Sequence, residues 1–174
     1  DGSSYSIDMH LKKNRPKGIA INGVPIRKAG ELLGLGNFVF FSPEDLNIIK
    51  SGPGERRRFM DLELCQLSKV YLFQLSNYNK ILNQRNKLLK EITFRPEYLD
   101  TLDVWDRQLV QYGERVIRER EKFVDRLNEI IGGIHQRLSG GRETLVIHYE
   151  KNVEPEEFEA RLTANRDRDL KLRT

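Results

Sequence analysis

Apolar and polar positions alternate from the start of the chain: Tyr5, Ile7, Met9 and Leu11 interleave with Ser6, Asp8 and His10. A period of two is that of a strand with one buried face. Asn14-Arg15-Pro16-Lys17-Gly18 is turn chemistry, and Ile19-Ala20-Ile21 predicts a second strand. Asn22-Gly23 then offers two residues that tolerate positive φ, the signal of a type I′ hairpin, ahead of Val24-Pro25-Ile26. Leu32, Leu33 and Leu35 suggest a short helix. Asn37-Phe38-Val39-Phe40-Phe41 is rich in strand formers and reads as a buried strand.

After Phe41 the period becomes helical. Ser42-Pro43-Glu44-Asp45 combines an N-cap, a proline at the first helical position and two acids in the first turn. A second start follows at Ser51-Gly52-Pro53-Gly54-Glu55. From there Phe59, Leu62, Leu67, Leu75, Tyr78, Leu82 and Leu89 recur at threes and fours. Arg95-Pro96-Glu97 opens another helix, carried by Leu102, Leu109, Val116, Leu127 and Ile134. At about 35–40 residues it extends roughly 50–60 Å, which predicts an antiparallel helical arm over Leu67 to Leu138. Gly132-Gly133 marks a bend or frayed end, and Ser139-Gly140-Gly141 a stop. Thr144 to Glu150 reads as a returning strand, Pro155-Glu156-Glu157 as a last short helix, and Leu170-Lys171-Leu172 as the start of another alternating pattern.

Composition narrows the function. Of 174 residues, 32% are charged and 38% hydrophobic, and no apolar run approaches the length of a membrane span. One cysteine excludes a disulfide scaffold and fits a reducing compartment. The net charge of +4 permits a nucleic-acid partner without demanding one. The chain opens directly into a strand pattern and closes inside another, which leads us to expect an internal fragment.

Catalytic signatures are missing. There is no glycine-rich loop ending in Lys-Ser/Thr, hence no cradle for a triphosphate. His10, His135 and His148 lack metal-ligand spacing, and no metal is expected. Cys65 sits among helical leucines as a packed thiol. Asp61/Glu63 and Glu156/Glu157 are neighbours whose side chains do not face each other on a helix. Two basic groups remain. Lys12, Lys13, Arg15 and Lys17 surround a hairpin tip where they can meet phosphates. Arg56-Arg57-Arg58 opens a helix, where cations oppose the dipole and so call for acceptors. We expect carboxylate partners for Arg56 or Arg57, from Glu44, Asp45, Asp61 or Glu63, leaving Arg58 as the cation for nucleic acid.

Phe40-Phe41-Ser42-Pro43-Glu44-Asp45-Leu46 and Gly52-Pro53-Gly54-Glu55-Arg56-Arg57-Arg58-Phe59-Met60-Asp61-Leu62-Glu63 resemble the bacterial RecF family of recombination mediators. The stretch Tyr78 to Lys90, the tripeptide Ile21-Asn22-Gly23 and the run Arg168 to Thr174 match the same family in order. The resemblance implies an ABC-type ATPase related to the structural-maintenance-of-chromosomes proteins. It implies an α+β fold: a short hairpin or sheet edge of ATPase lobe I, then an elongated helical lobe II with long antiparallel helices. The corresponding division is 1–41 for the β-rich part and 42–66 for a Q-loop-like segment and helix. The arm then takes 67–142, and 143–174 leads back toward the second ATPase half. Ser42 falls on the Q-loop glutamine position when Pro53, Glu55, Arg56 and Arg57 are laid on the Pro-x-Glu-Arg-Arg pattern, with Glu44 and Asp45 as substitutes beside it. Glu55, Arg56 and Arg57 then couple this segment to the helical lobe. The Walker A, signature and Walker B motifs are absent, so no ATPase activity is expected of the chain alone. For the whole family the resemblance implies ATP and magnesium, a cytoplasmic ATP-dependent homodimer, binding to duplex or junction DNA, and RecR and RecO as partners in repair and the SOS response. A stand-alone helical protein–protein interaction module is the alternative reading.

Overall fold

The computed structural model describes residues 4–14 and 17–174. Its elements fall into two compact units, 1–69 and 70–174. In the first, β1 (Ile7–His10), β2 (Gly18–Ile21) and β3 (Val24–Ile26) form an antiparallel sheet in chain order. Asn22 (φ 50°) and Gly23 (φ 77°) both take the left-handed conformation that the β2–β3 turn requires. The register sets Ile7 opposite Ile21, Met9 opposite Ile19, and Ile19 opposite Ile26. One face is therefore apolar, as the alternation predicts.

A 3-10 turn covers Ala29–Leu32 where a short helix was expected. The apolar run after it is neither strand nor buried. Phe38, Val39, Phe40 and Phe41 are 65%, 96%, 84% and 78% exposed. The run has strand composition, but no described strand lies beside it to supply a ladder. The Phe38 N–H donates instead to the Gln66 side chain at 3.0 Å. Pro43–Leu46 make another 3-10 turn, followed by α1 (Asn47–Lys50) and α2 (Pro53–Leu67). The helix stops at Ser68, which turns extended (φ −144°, ψ 110°). This break is hidden in the sequence because the apolar spacing carries across it.

The second unit is built on α3 (Lys69–Ile92) and α4 (Leu102–Leu138), joined by a 3-10 segment at Pro96–Thr101. With 37 residues α4 is about 55 Å long. It continues as unbroken helix through Gly132-Gly133, and the chain turns at Gly140 and Gly141, both at positive φ. The two helices are antiparallel: Arg85 meets Asp106, whereas the earlier Gln74 meets the later Arg115. Leu89, Leu102, Leu109 and Val116 are buried as the predicted seam requires, whereas Leu75, Tyr78, Leu82 and Leu127 are only half-buried and the buried row of α3 is Tyr71, Gln74, Ile81, Arg85, Leu89 and Ile92.

The rest of the chain returns along α4 and also reaches α3, through Asp169 and Arg85. Contacts Asn128–Ile147, Glu121–Lys151, Arg118–Glu156 and Asp106–Arg166 descend α4 as the chain ascends. At Gly113 the Phe158 ring lies where a β-carbon would sit, so the missing side chain lets the return segment approach. Two expectations are corrected here. Residues 144–150 form no strand: Asn128 donates to the Ile147 carbonyl and accepts from its N–H, both at 2.8 Å, a side-chain amide taking the place of a neighbouring strand. Leu170-Lys171-Leu172 belongs not to an alternating segment but to a helix. After a 3-10 turn at Pro155–Glu157, α5 (Phe158–Ala164) and α6 (Arg166–Leu172) follow. Helical spacing puts Arg166 and Asp169 on one face of α6, where both ion-pair with the arm.

Candidate functional site

In the first unit the residues picked out by sequence lie in three places. Ser42 is extended, and its N–H donates to Asp45 Oδ2 at 2.6 Å, while the Asp45 N–H returns a 3.0 Å bond to the Ser42 carbonyl. The Ser42 hydroxyl donates to Glu44. That bond, followed by Glu44's own backbone N–H, holds this exposed carboxyl below its usual range. Ser42, Glu44 and Asp45 are thus brought together as a self-capped turn with two acids at its start.

Arg56 closes the corner between α1 and α2. Its Nη1 donates to the carbonyls of Ser51 (2.9 Å) and Ile48 (3.4 Å). The acceptors are therefore carbonyls and not the carboxylates expected. The end of α1 leaves carbonyl oxygens without helical partners, and a guanidinium one turn into the next helix reaches them. The ion pair falls to Arg58, which lies 3.9 Å from Glu55 with both side chains largely exposed. Such a pair contributes little. Arg57 is exposed.

Lys12, Lys13 and Lys17 are exposed at the β1–β2 turn, and Arg15 lies outside the described residues. No described hydrogen bond or ion pair joins these lysines to the arginines of α2. Among the described residues, no three His, Cys, Asp or Glu side chains converge as metal ligands would. No helix among the described residues is long and apolar enough to cross a membrane. Burial, reinforced by the charge of Asp61, pushes the Cys65 thiol up to about 11, which keeps it protonated near neutrality.

The second unit holds a cluster absent from the sequence reading. Arg85 on α3 is only 2% exposed. Its Nε bonds Asp106 Oδ1 on α4 at 2.6 Å, and its Nη2 lies 2.9 Å from Asp169 Oδ2 on α6. Arg166 continues the chain of charges, with Nη2 at 2.7 Å from Asp106 and 2.6 Å from Asp103. The Asp106 bond, ahead of that from Asp103, raises the pKa of Arg166 above its usual value. A cleft of about 280 Å³ opens beside this cluster, lined by Asp103, Arg107, Glu159 and Arg166 among others. The signal was present in outline: Arg85 falls four residues from both Ile81 and Leu89, on an otherwise apolar stripe. Asp106 holds the same place four residues after Leu102. A charge in the buried register needs a partner.

This is an α+β architecture, a small antiparallel sheet followed by helices that include a long antiparallel pair. Comparisons with known proteins give it a family. No family model matches the chain. Among curated proteins, it is 62% identical over 168 residues to the DNA replication and repair protein RecF of Agathobacter rectalis, covering 97% of this chain and 46% of that protein. It is 57% identical over 174 residues to RecF of Lachnospira eligens, covering 99% and 48%. Among solved structures it matches the recombination mediator protein RecF-ATPrS in the RecFOR pathway, with a TM-score of 0.84 and 35% identity over 97% of this chain and 47% of that one. The RecF-ATP structure gives a TM-score of 0.83 at 34% identity. The chain belongs to the RecF family, and it spans about half the length of the relatives it matches.

Proposed function

We propose that the chain is the middle segment of a DNA repair and replication protein. As a whole, that protein binds ATP with magnesium, dimerises in an ATP-dependent way, and engages gapped DNA or single-strand/double-strand junctions. There it assists recombinase loading with RecR and RecO. The observation that carries this reading is the match over nearly the whole chain to RecF proteins about twice as long. The bare run Phe38 to Phe41 supports it, since a contiguous apolar surface of that kind fits a larger body better than a free-standing helical module.

Within this reading the segment divides as 1–41, 42–66, 67–142 and 143–174. Ser42, Glu44 and Asp45 lie toward the nucleotide. Glu55, Arg56 and Arg57 couple that turn to the helices, with Arg56 acting through its hold on the end of α1. Lys12, Lys13, Arg15, Lys17 and Arg58 are the DNA contacts in this part of the protein. The segment alone lacks the loops that cradle and cleave a triphosphate, so it neither binds ATP tightly nor turns it over.

The test is fluorescence anisotropy of the whole protein on gapped and uninterrupted duplexes, with and without ATP and magnesium. Tighter binding to the gapped duplex that depends on ATP is expected. Equal affinity for both duplexes, unmoved by ATP, overturns the reading.

A further inference from the structure

The two long helices carry charge in opposite ways. Within α4, seven acids balance seven Lys and Arg residues. Several of these are paired: Lys122 with Glu119 at 2.9 Å, and Arg118 with Glu114 at 4.0 Å and with Glu156 of the return segment at 2.6 Å. Within α3, five cations stand against a single acid, Glu91. Arg85 is consumed by the buried cluster. Glu91 lies near the helix end, where its charge acts on Arg95. Lys80, Lys87 and Lys90 are exposed and have no ion pair among the described residues.

At 100° per residue, Lys80, Lys87, Ser76, Asn83 and Lys90 fall within a sector of about 80°. The buried side chains of α3, among them Tyr71, Arg85 and Leu89, lie on the opposite side. All five residues of the sector are exposed. Lys90 alone is accounted for by the negative end of the helix dipole. Lys80 and Lys87 lie inside the helix, where a solvated face of ordinary composition intersperses acids, as α4 does.

We propose that this outer face of α3 binds the phosphate backbone of double-helical DNA, with Lys80, Lys87 and Lys90 as the phosphate contacts and Ser76 and Asn83 as neutral hydrogen-bonding groups between them. The proposal rests on the DNA-binding reading above and gives it a second surface, on the arm. The spacing suits it. The three lysines span about 15 Å of helix, and a DNA strand presents a phosphate about every 3.4 Å of its axis. Lysine serves here as a mobile point charge, which reads charge and not sequence. An acidic protein surface is the rival occupant, and the salt dependence of DNA binding separates the two.

The experiment uses the whole protein with Lys80→Gln, Lys87→Gln and Lys90→Gln combined. Glutamine has nearly the helix propensity of lysine, and the positions are exposed, so folding and ATP affinity should be retained. The readout is duplex affinity from about 0.05 to 0.3 M salt, with Lys122→Gln as the control for a cation already paired. Each lost phosphate contact should reduce the slope of log K against log salt by about 0.9. The triple variant should therefore lose about 2–3 units of slope and bind at least about tenfold more weakly at 0.1 M salt, while Lys122→Gln changes little. An unchanged slope in a triple variant that melts normally and still binds ATP overturns the proposal and leaves the broader reading standing. An equal loss from Lys122→Gln also overturns it, because net charge would then explain the effect. No salt-dependent duplex binding by the unsubstituted protein overturns both.

Discussion

Replacing Arg85 by methionine keeps most of the side-chain volume and removes the charge, so the loss it produces is electrostatic. The Arg85 and Asp106 side chains are 3% and 10% exposed, and that of Asp169 is 20%. Breaking a buried pair from one side leaves an uncompensated charge out of water, which typically costs about 3–5 kcal/mol. Asp106 keeps Arg166 at 2.7 Å, and Asp169 reaches some solvent, so the lower end applies, about 3 kcal/mol. At roughly 2–4 °C per kcal/mol for a chain of this size, the melting temperature should fall by roughly 6–12 °C. Urea unfolding followed by circular dichroism gives the same quantity as a midpoint shift at constant m. Arg85→Lys should not restore stability, because an ammonium lacks the planar fork that reaches two carboxylates. Arg85→Met with Asp106→Leu and Asp169→Leu should recover much of the loss, since an apolar cluster of similar volume often equals an ion pair. A loss below about 1 kcal/mol for Arg85→Met would show that the cluster is hydrated and refute the reasoning.

Three further outcomes follow from other contacts. Leu109→Ala, at a site 3% exposed in the seam, should destabilise by about 2–5 kcal/mol in equilibrium unfolding, and a value near zero would mean the seam is open. Asn128→Ala should raise amide exchange over residues 144–150 while leaving α3 protected, since the two 2.8 Å bonds to Ile147 are what hold that stretch; unchanged exchange there would count against the clamp. Glu156 is held below its usual value of 4.5 by its own backbone N–H and then by Arg118, so its folded pKa is depressed. Its contribution is present above about pH 4.5 and is lost as pH falls through the lowered value. Glu156→Gln should therefore melt lower than the unsubstituted protein at pH 7, with the gap narrowing as the pH falls below 4.5; the reverse order would refute the sign.

What the sequence determined by itself is local or periodic. The Asn22-Gly23 turn, the cap at Ser42, the start of α2 at Gly52-Pro53, and the apolar rows of the long helices depend on residues a few positions apart. Their physics is complete within a turn or two. Antiparallel pairing of the helices followed as well, because a short connection between two long apolar stripes leaves few alternatives. The tertiary structure decided everything that depends on a partner distant in the chain. Phe38 to Phe41 have the composition of a strand but no described strand beside them, and 144–150 have a strand's composition but an asparagine for a neighbour. Arg56 finds carbonyls left over at the end of a short helix, a supply of acceptors that composition does not disclose. The buried cluster lies deepest in this class. Arg85 and Asp106 are 21 residues apart along the chain, and Asp106 and Asp169 are 63 apart. Only when α4 and α6 close over α3 does each charge acquire the partner that makes its burial tolerable.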